Sequence, residues 1–103
     1  MTQPTLIGID IGTSSIKVVA IDFNGEVLAV INRPISLDVP RPGWSEQNPE
    51  DWWSATCVAI RQLLVNIEMP EVFGIGLSGQ MHSLVALDAN RQVLRPAILW
   101  NDV

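Results

Sequence analysis

The sequence is short of cysteine, histidine and positive charge. It has one cysteine, Cys57, so no internal disulfide can form, and a reducing cytoplasm is the simplest setting. One histidine, His82, and that one cysteine leave no Cys/His cluster for zinc. Six Lys and Arg against eleven Asp and Glu give a formal net charge of −5, with no basic cluster. Binding to a phosphate backbone needs a basic surface, so no nucleic-acid partner is expected. No apolar run approaches the roughly 20 residues that span a bilayer, so no membrane partner is expected either. The N-terminus, Met1-Thr2-Gln3-Pro4, lacks the basic stretch of a secretory signal.

What is present is apolar. Of 103 residues, 48% are hydrophobic, and the mean hydropathy is +0.27. For one small domain with one core, that surplus suggests faces that another segment covers. Leu6 to Ile11, Ile16 to Ile21 and Val27 to Ile31 read as three strands. Asn24-Gly25 between the last two is a hairpin signal, so the first third is expected to be an antiparallel meander. Pro34, Pro40 and Pro42 then exclude long regular structure. Asn48 as N-cap, Pro49 at the first helical position and Glu50 and Asp51 in the first turn announce a helix to about Val65. Trp53, Cys57, Ile60 and Leu64 lie on one helical face, widened by Trp52, Ala59 and Leu63. Asn66 and Pro70 bracket its end. Val72 to Leu77 is a fourth strand and Ser83 to Asp88 a fifth, and Val93 to Trp100, with Pro96 inside, is irregular and then extended. A meander followed by a helical crossover predicts an α/β mixed sheet with one main helix on one face.

The segment "GIDIGTSSIK" (Gly8 to Lys17) carries the chemistry. Asp10 interrupts an apolar strand. A buried unpaired carboxylate there would cost several kcal/mol, so Asp10 is expected to face a cleft or a cation. Gly12, Thr13 and Ser14 supply a turn whose successive amides can form an anion-binding concavity. An acid for Mg²⁺ beside a nest for phosphate is what a nucleotide site needs, and Lys17 adds a cation. The same turn also fits an ordinary hairpin whose hydroxyls cap local amides, and Lys17 also fits a solvated strand face. No Walker A loop and no Rossmann glycine fingerprint is present. The second notable stretch, "SGQMHS" (Ser78 to Ser83), places His82 directly after the fourth strand, and imidazole can donate to or accept from a hydroxyl.

"GIDIGTSSIKVVAID" resembles the first phosphate motif of the actin/Hsp70/sugar-kinase superfamily, whose domains have a ribonuclease H-like core. "PGWSEQNPEDWW", "GIGLSGQMHS" and "VLRPAILWND" narrow the resemblance to the FGGY carbohydrate kinases, nearer to xylulokinase than to glycerol kinase. It covers nearly the whole chain, in the family's order. By that resemblance residues 1–103 are the N-terminal part of an FGGY kinase's first domain, without the C-terminal domain. Asp10 then lies near Mg²⁺ and the transferred phosphate, with Gly12, Thr13, Ser14 and Lys17 at the phosphates of ATP. Met81, His82, Trp100, Asn101 and Asp102 contact a pentulose such as D-xylulose. The resemblance also brings a homodimer of the full-length enzyme into view. The family's catalytic base, an aspartate further downstream, has no match in this chain, so the fragment alone is expected to be inactive. A gluconokinase, or a non-catalytic nucleotide-binding module of the actin/Hsp70 type, are the alternatives.

Overall fold

The computed structural model describes residues 1–80 and 83–99. Seven elements follow in order: β1 (Gln3–Ile11), β2 (Ser15–Ile21), β3 (Val27–Pro34), β4 (Glu46–Gln47), α1 (Pro49–Val65), β5 (Pro70–Gly79) and β6 (Ala97–Ile98). Four of them form a sheet in the order β3-β2-β1-β5. The first three strands are the antiparallel meander that the apolar runs and the Asn24-Gly25 signal predict. β5 lies parallel to β1, which requires a crossover connection, and α1 lies within that connection. β4 and β6 make a separate two-stranded ribbon.

The Asn24-Gly25 signal marks the second hairpin correctly, but Gly25 alone takes a positive φ, 82°. The carboxylate of Asp22 accepts the amides of Asn24 and Glu26. Asp22 and Glu26 close a three-residue connection through their backbone. The register shift at Ile21↔Val27 is the bulge that such a loop brings.

The helix follows its sequence signals. Asn48 caps it, its side-chain oxygen accepting the Glu50 amide at 3.0 Å. Pro49 wastes no donor there, and Glu50 and Asp51 meet the positive end of the dipole. The buried stripe, however, differs in phase from the expected one. Thr56, Ala59 and Leu63 are its centre, with Trp52, Ala55 and Ile60 packed beside it. Trp53, predicted on the buried face, is 68% exposed. Two adjacent tryptophans lie about 100° apart on a helix, and the core selects Trp52. Thr56 can be buried because its hydroxyl donates to the Trp52 carbonyl at 2.6 Å.

α1 packs over β2 and β3. The core beneath it joins Ile7 and Ile9 of β1, Ile16, Val18 and Ala20 of β2, and Ala59, Leu63 and Ile67. Each of the large aliphatic side chains there contributes about 1.5–3 kcal/mol from burial, an upper estimate. The expected fifth strand, Ser83 to Asp88, does not form. Only single bridges, Leu84↔Ile98 and Leu87↔Val93, occur there. Among the described residues no helix is long and apolar enough to cross a membrane.

Candidate functional site

The pleat divides β1 and β2 between two jobs. Ile7, Ile9, Ile16 and Val18 point under the helix. Their neighbours Gly8, Asp10, Lys17 and Val19 point to the other face, which no element among the described residues covers. Asp10 is exposed on that open face, so its interruption of the apolar strand leaves no buried charge. Its register partners are Lys17 on β2 and Ser78 on β5. No ion pair joins Asp10 to Lys17 among the described residues. A trough of about 280 Å³ runs along this face, lined by the consecutive residues Gly8, Ile9 and Asp10 of β1, Lys17 and Val19 of β2, and Gly76, Leu77 and Ser78 of β5. Gly8 and Gly76 face each other across β1 and β5. A Cβ on Gly8 would stand 3.1 Å from the Val19 side chain, so the missing side chains are what leave the trough open. A second depression of similar size lies between Arg33–Ser36 and Asp51–Val58 on the helix side. It contains none of Asp10, Gly12, Thr13 or Ser14, although Pro34 and Ile35 on its rim adjoin the turn.

Beside Asp10, the chain reverses in a two-residue loop, Thr13 and Ser14. The Gly12 amide closes it by donating to the Ser15 carbonyl at 2.9 Å, so that amide is used within the turn. Neither Thr13 nor Ser14 takes a positive φ. Tight hairpins favour turns with positive φ because those match the twist of the strands. This turn is instead held from outside. The Ile35 amide donates to the Ser14 carbonyl at 3.0 Å, and the Gln47 side chain donates to the Thr13 carbonyl at 2.5 Å. The end of β5 lies alongside, where the Gln80 amide donates to the Ile11 carbonyl at 3.0 Å.

Asp10, Gly12, Thr13, Ser14 and Lys17, read together from one sequence segment, lie on one hairpin at one end of the sheet, next to the strand end that leads into Met81-His82. Met81, His82, Trp100, Asn101 and Asp102 lie outside the described residues. Sequence reasoning missed three contributors: Gln47, the Gln80 side chain and the Arg95–Glu46 ion pair. Arg95 reaches the largely buried carboxylate of Glu46 and fastens β4 near β6. Trp44, in the Pro-rich loop, carries the Arg41 guanidinium 5.0 Å above its ring.

No group of three His, Cys, Asp or Glu side chains converges among the described residues. A cation at Asp10 would thus rest on one carboxylate, water and phosphate oxygens, an arrangement Mg²⁺ commonly adopts.

The family model described as "FGGY family of carbohydrate kinases, N-terminal domain" matches residues 5–103. The chain belongs to the FGGY carbohydrate kinases. The xylulose kinase of Escherichia coli is 48% identical over 96 residues, covering 93% of this chain and 20% of that protein. The xylulose kinase structure of Rhodospirillum rubrum superposes with a TM-score of 0.93 at 34% identity, covering 96% of this chain and 21% of that one. The gluconate kinase structure of Lactobacillus acidophilus also reaches 0.93, at 31% identity, covering 98% and 20%. This FGGY chain spans about a fifth of the length of the relatives it matches. Its mixed sheet with one helix is the fold that the ribonuclease H-like resemblance implies.

Proposed function

We propose that this segment forms the phosphate-facing and sugar-facing floor of a kinase that transfers the γ-phosphoryl group of ATP to a ketopentose such as D-xylulose. The observation that carries the reading is the placement of Asp10. It is exposed on the open face, one residue beyond the buried Ile9, between Lys17 and Ser78 and beside the Thr13-Ser14 turn. Phosphoryl transfer needs positioning and neutralisation of charge more than covalent chemistry from the protein. Asp10 would hold Mg²⁺, which would supply charge neutralisation to the transferring phosphate. Thr13 and Ser14 would orient the phosphates, with Gly12 shaping the turn and Lys17 adding positive charge at the trough. Met81, His82, Trp100, Asn101 and Asp102 would contact the sugar.

Likeness of fold does not separate the sugars, since xylulose and gluconate kinases superpose equally well. Sequence identity, and the SGQMH and RPAILWND segments, favour the pentulose. No residue here matches the family's catalytic aspartate, so the 103-residue chain alone is expected to release no ADP from ATP and D-xylulose.

The decisive experiment grafts residues 5–103 into the Escherichia coli xylulose kinase in place of the matching segment. The graft is then assayed for ADP release with D-xylulose and D-gluconate. The reading expects xylulose-dependent turnover. It also expects Asp10→Asn to lower kcat/KM by about 10²–10³-fold, the scale of losing one directed electrostatic contact, at an unchanged unfolding midpoint. A folded graft inactive on both sugars refutes the kinase reading. A loss under about threefold for Asp10→Asn refutes the role of Asp10.

A further inference from the structure

We propose that Gln47 is a positioning residue that holds the phosphate turn and the sugar-side end of β5 in one fixed relation. The proposal rests on the kinase reading above and deepens it. Gln47 is 2% exposed, yet it belongs to neither ligand segment. Its Nε2 donates to the Thr13 carbonyl at 2.5 Å. Its Oε1 accepts from the Trp52 indole at 3.0 Å and from the Gln80 side-chain amide at 3.1 Å. Thr13 lies 34 residues before it and Gln80 lies 33 after it. One amide therefore ties the turn, the first turn of α1 and the end of β5 together. Its backbone adds a fourth link. Gln47 pairs with Ala97 of β6, and the Leu99 amide donates to the Ser45 carbonyl at 3.0 Å. That ribbon leads directly into Trp100.

The chemistry singles out glutamine. The carbonyl oxygen has two lone pairs, and both are used by donors. An inverted amide would set Oε1 against the Thr13 carbonyl and Nε2 against two donors, so the orientation is determined by the partners. Glutamate keeps the two acceptor contacts and loses the donor. Leucine keeps the shape and loses all three contacts. The turn, lacking the positive φ that twist-matched hairpins favour, depends on such clamps from outside. Reacting groups must be held close to their productive geometry, and a misplacement of about 1 Å costs on the order of 100-fold in rate.

The test uses Gln47→Glu in the graft described above, with Leu63→Ala as a control that lowers stability without touching this network. Gln47→Glu is expected to lower kcat by about 10- to 100-fold and to raise KM for ATP. KM for the sugar should stay within about twofold, because the link to Gln80 survives. Leu63→Ala is expected to leave kcat within about twofold for the folded enzyme. In the 103-residue chain, amide exchange is read at Gly12 and Ile35, whose N–H groups bond the turn. Gln47→Glu should speed it about tenfold over the amides of α1. The proposal is overturned by an active graft whose Gln47→Glu variant keeps kcat within twofold. It is equally overturned if Leu63→Ala reproduces the kinetic loss, or if exchange at Gly12 and Ile35 does not change. If the unmutated graft releases no ADP, the kinase reading fails, and the exchange measurement still decides whether Gln47 holds the turn.

Discussion

The two faces of β1 and β2 make the sharpest contrast in the molecule. On one face, Ile7, Ile9, Ile16, Val18 and Ala20 are buried under α1. On the other, Gly8, Asp10, Lys17 and Val19 line an open trough. The residues of the two sets alternate along the same strands, so a single step along the chain crosses from the core to the trough. Because strand side chains alternate with period two, one strand can carry both without conflict. Substitutions one residue apart should therefore be read by different instruments. Asp10→Asn should appear in kinetics, and its neighbour Ile9 should appear in unfolding.

The largest effect expected on the covered face comes from its centre. Leu63 is fully buried between α1 and the sheet. Leu63→Ala should lower unfolding free energy by about 2–5 kcal/mol, from lost transfer energy and the cavity left behind. Urea unfolding measures it. A cost below about 1 kcal/mol would show that α1 is not seated on the sheet. A smaller step separates the faces more finely. Ile9→Val removes one methylene from the core beside Asp10 and should cost about 0.5–1.5 kcal/mol. The side chains of Asp10, Lys17 and Ser78 are kept, so kcat/KM of the grafted kinase should stay within about twofold. A kinetic loss approaching that of Asp10→Asn would mean that the two faces are mechanically coupled.

Much of this division was legible in the sequence. "LIGIDI" and "IKVVAI" are short apolar runs, each broken by one charged residue, and an acid on a short apolar strand has few places to go except an open face. Asn48-Pro49-Glu50-Asp51 carried its own start signal, which needs no tertiary contact. The helix phase was harder, because Trp52 and Trp53 are equally apolar and only the sheet beneath decides between them. Thr56 gives no apolar signal, though a back-bonded hydroxyl buries readily. The Ser83 to Asp88 segment has a strand's composition, but Leu84 and Leu87 find only single bridges, and propensity without a partner strand does not make one. Gln47 was the least visible of all. Its importance lies in three partners more than 30 residues away or across a helix turn, and no local pattern encodes that.

The last contrast lies at the edge of the covered face. Register places Ile75 beside Ile7 and Leu77 beside Ile9, so β5 turns these side chains to the same side as the core. Yet Ile75 is 57% exposed and Leu77 is 77% exposed, because α1 lies chiefly over β2 and β3. An apolar run thus forecasts a strand, and burial still depends on what lies above it. Leu77→Ala should accordingly change the stability of this chain by no more than about 0.5 kcal/mol, as for surface positions. A cost closer to that of Leu63→Ala would mean that something covers the β5 face in solution. Protein concentration then separates the causes. Cover by a second copy makes the unfolding midpoint rise with concentration, and Leu77→Lys would abolish that rise. Cover by a segment of the same chain leaves the midpoint fixed and the cost intact at every dilution.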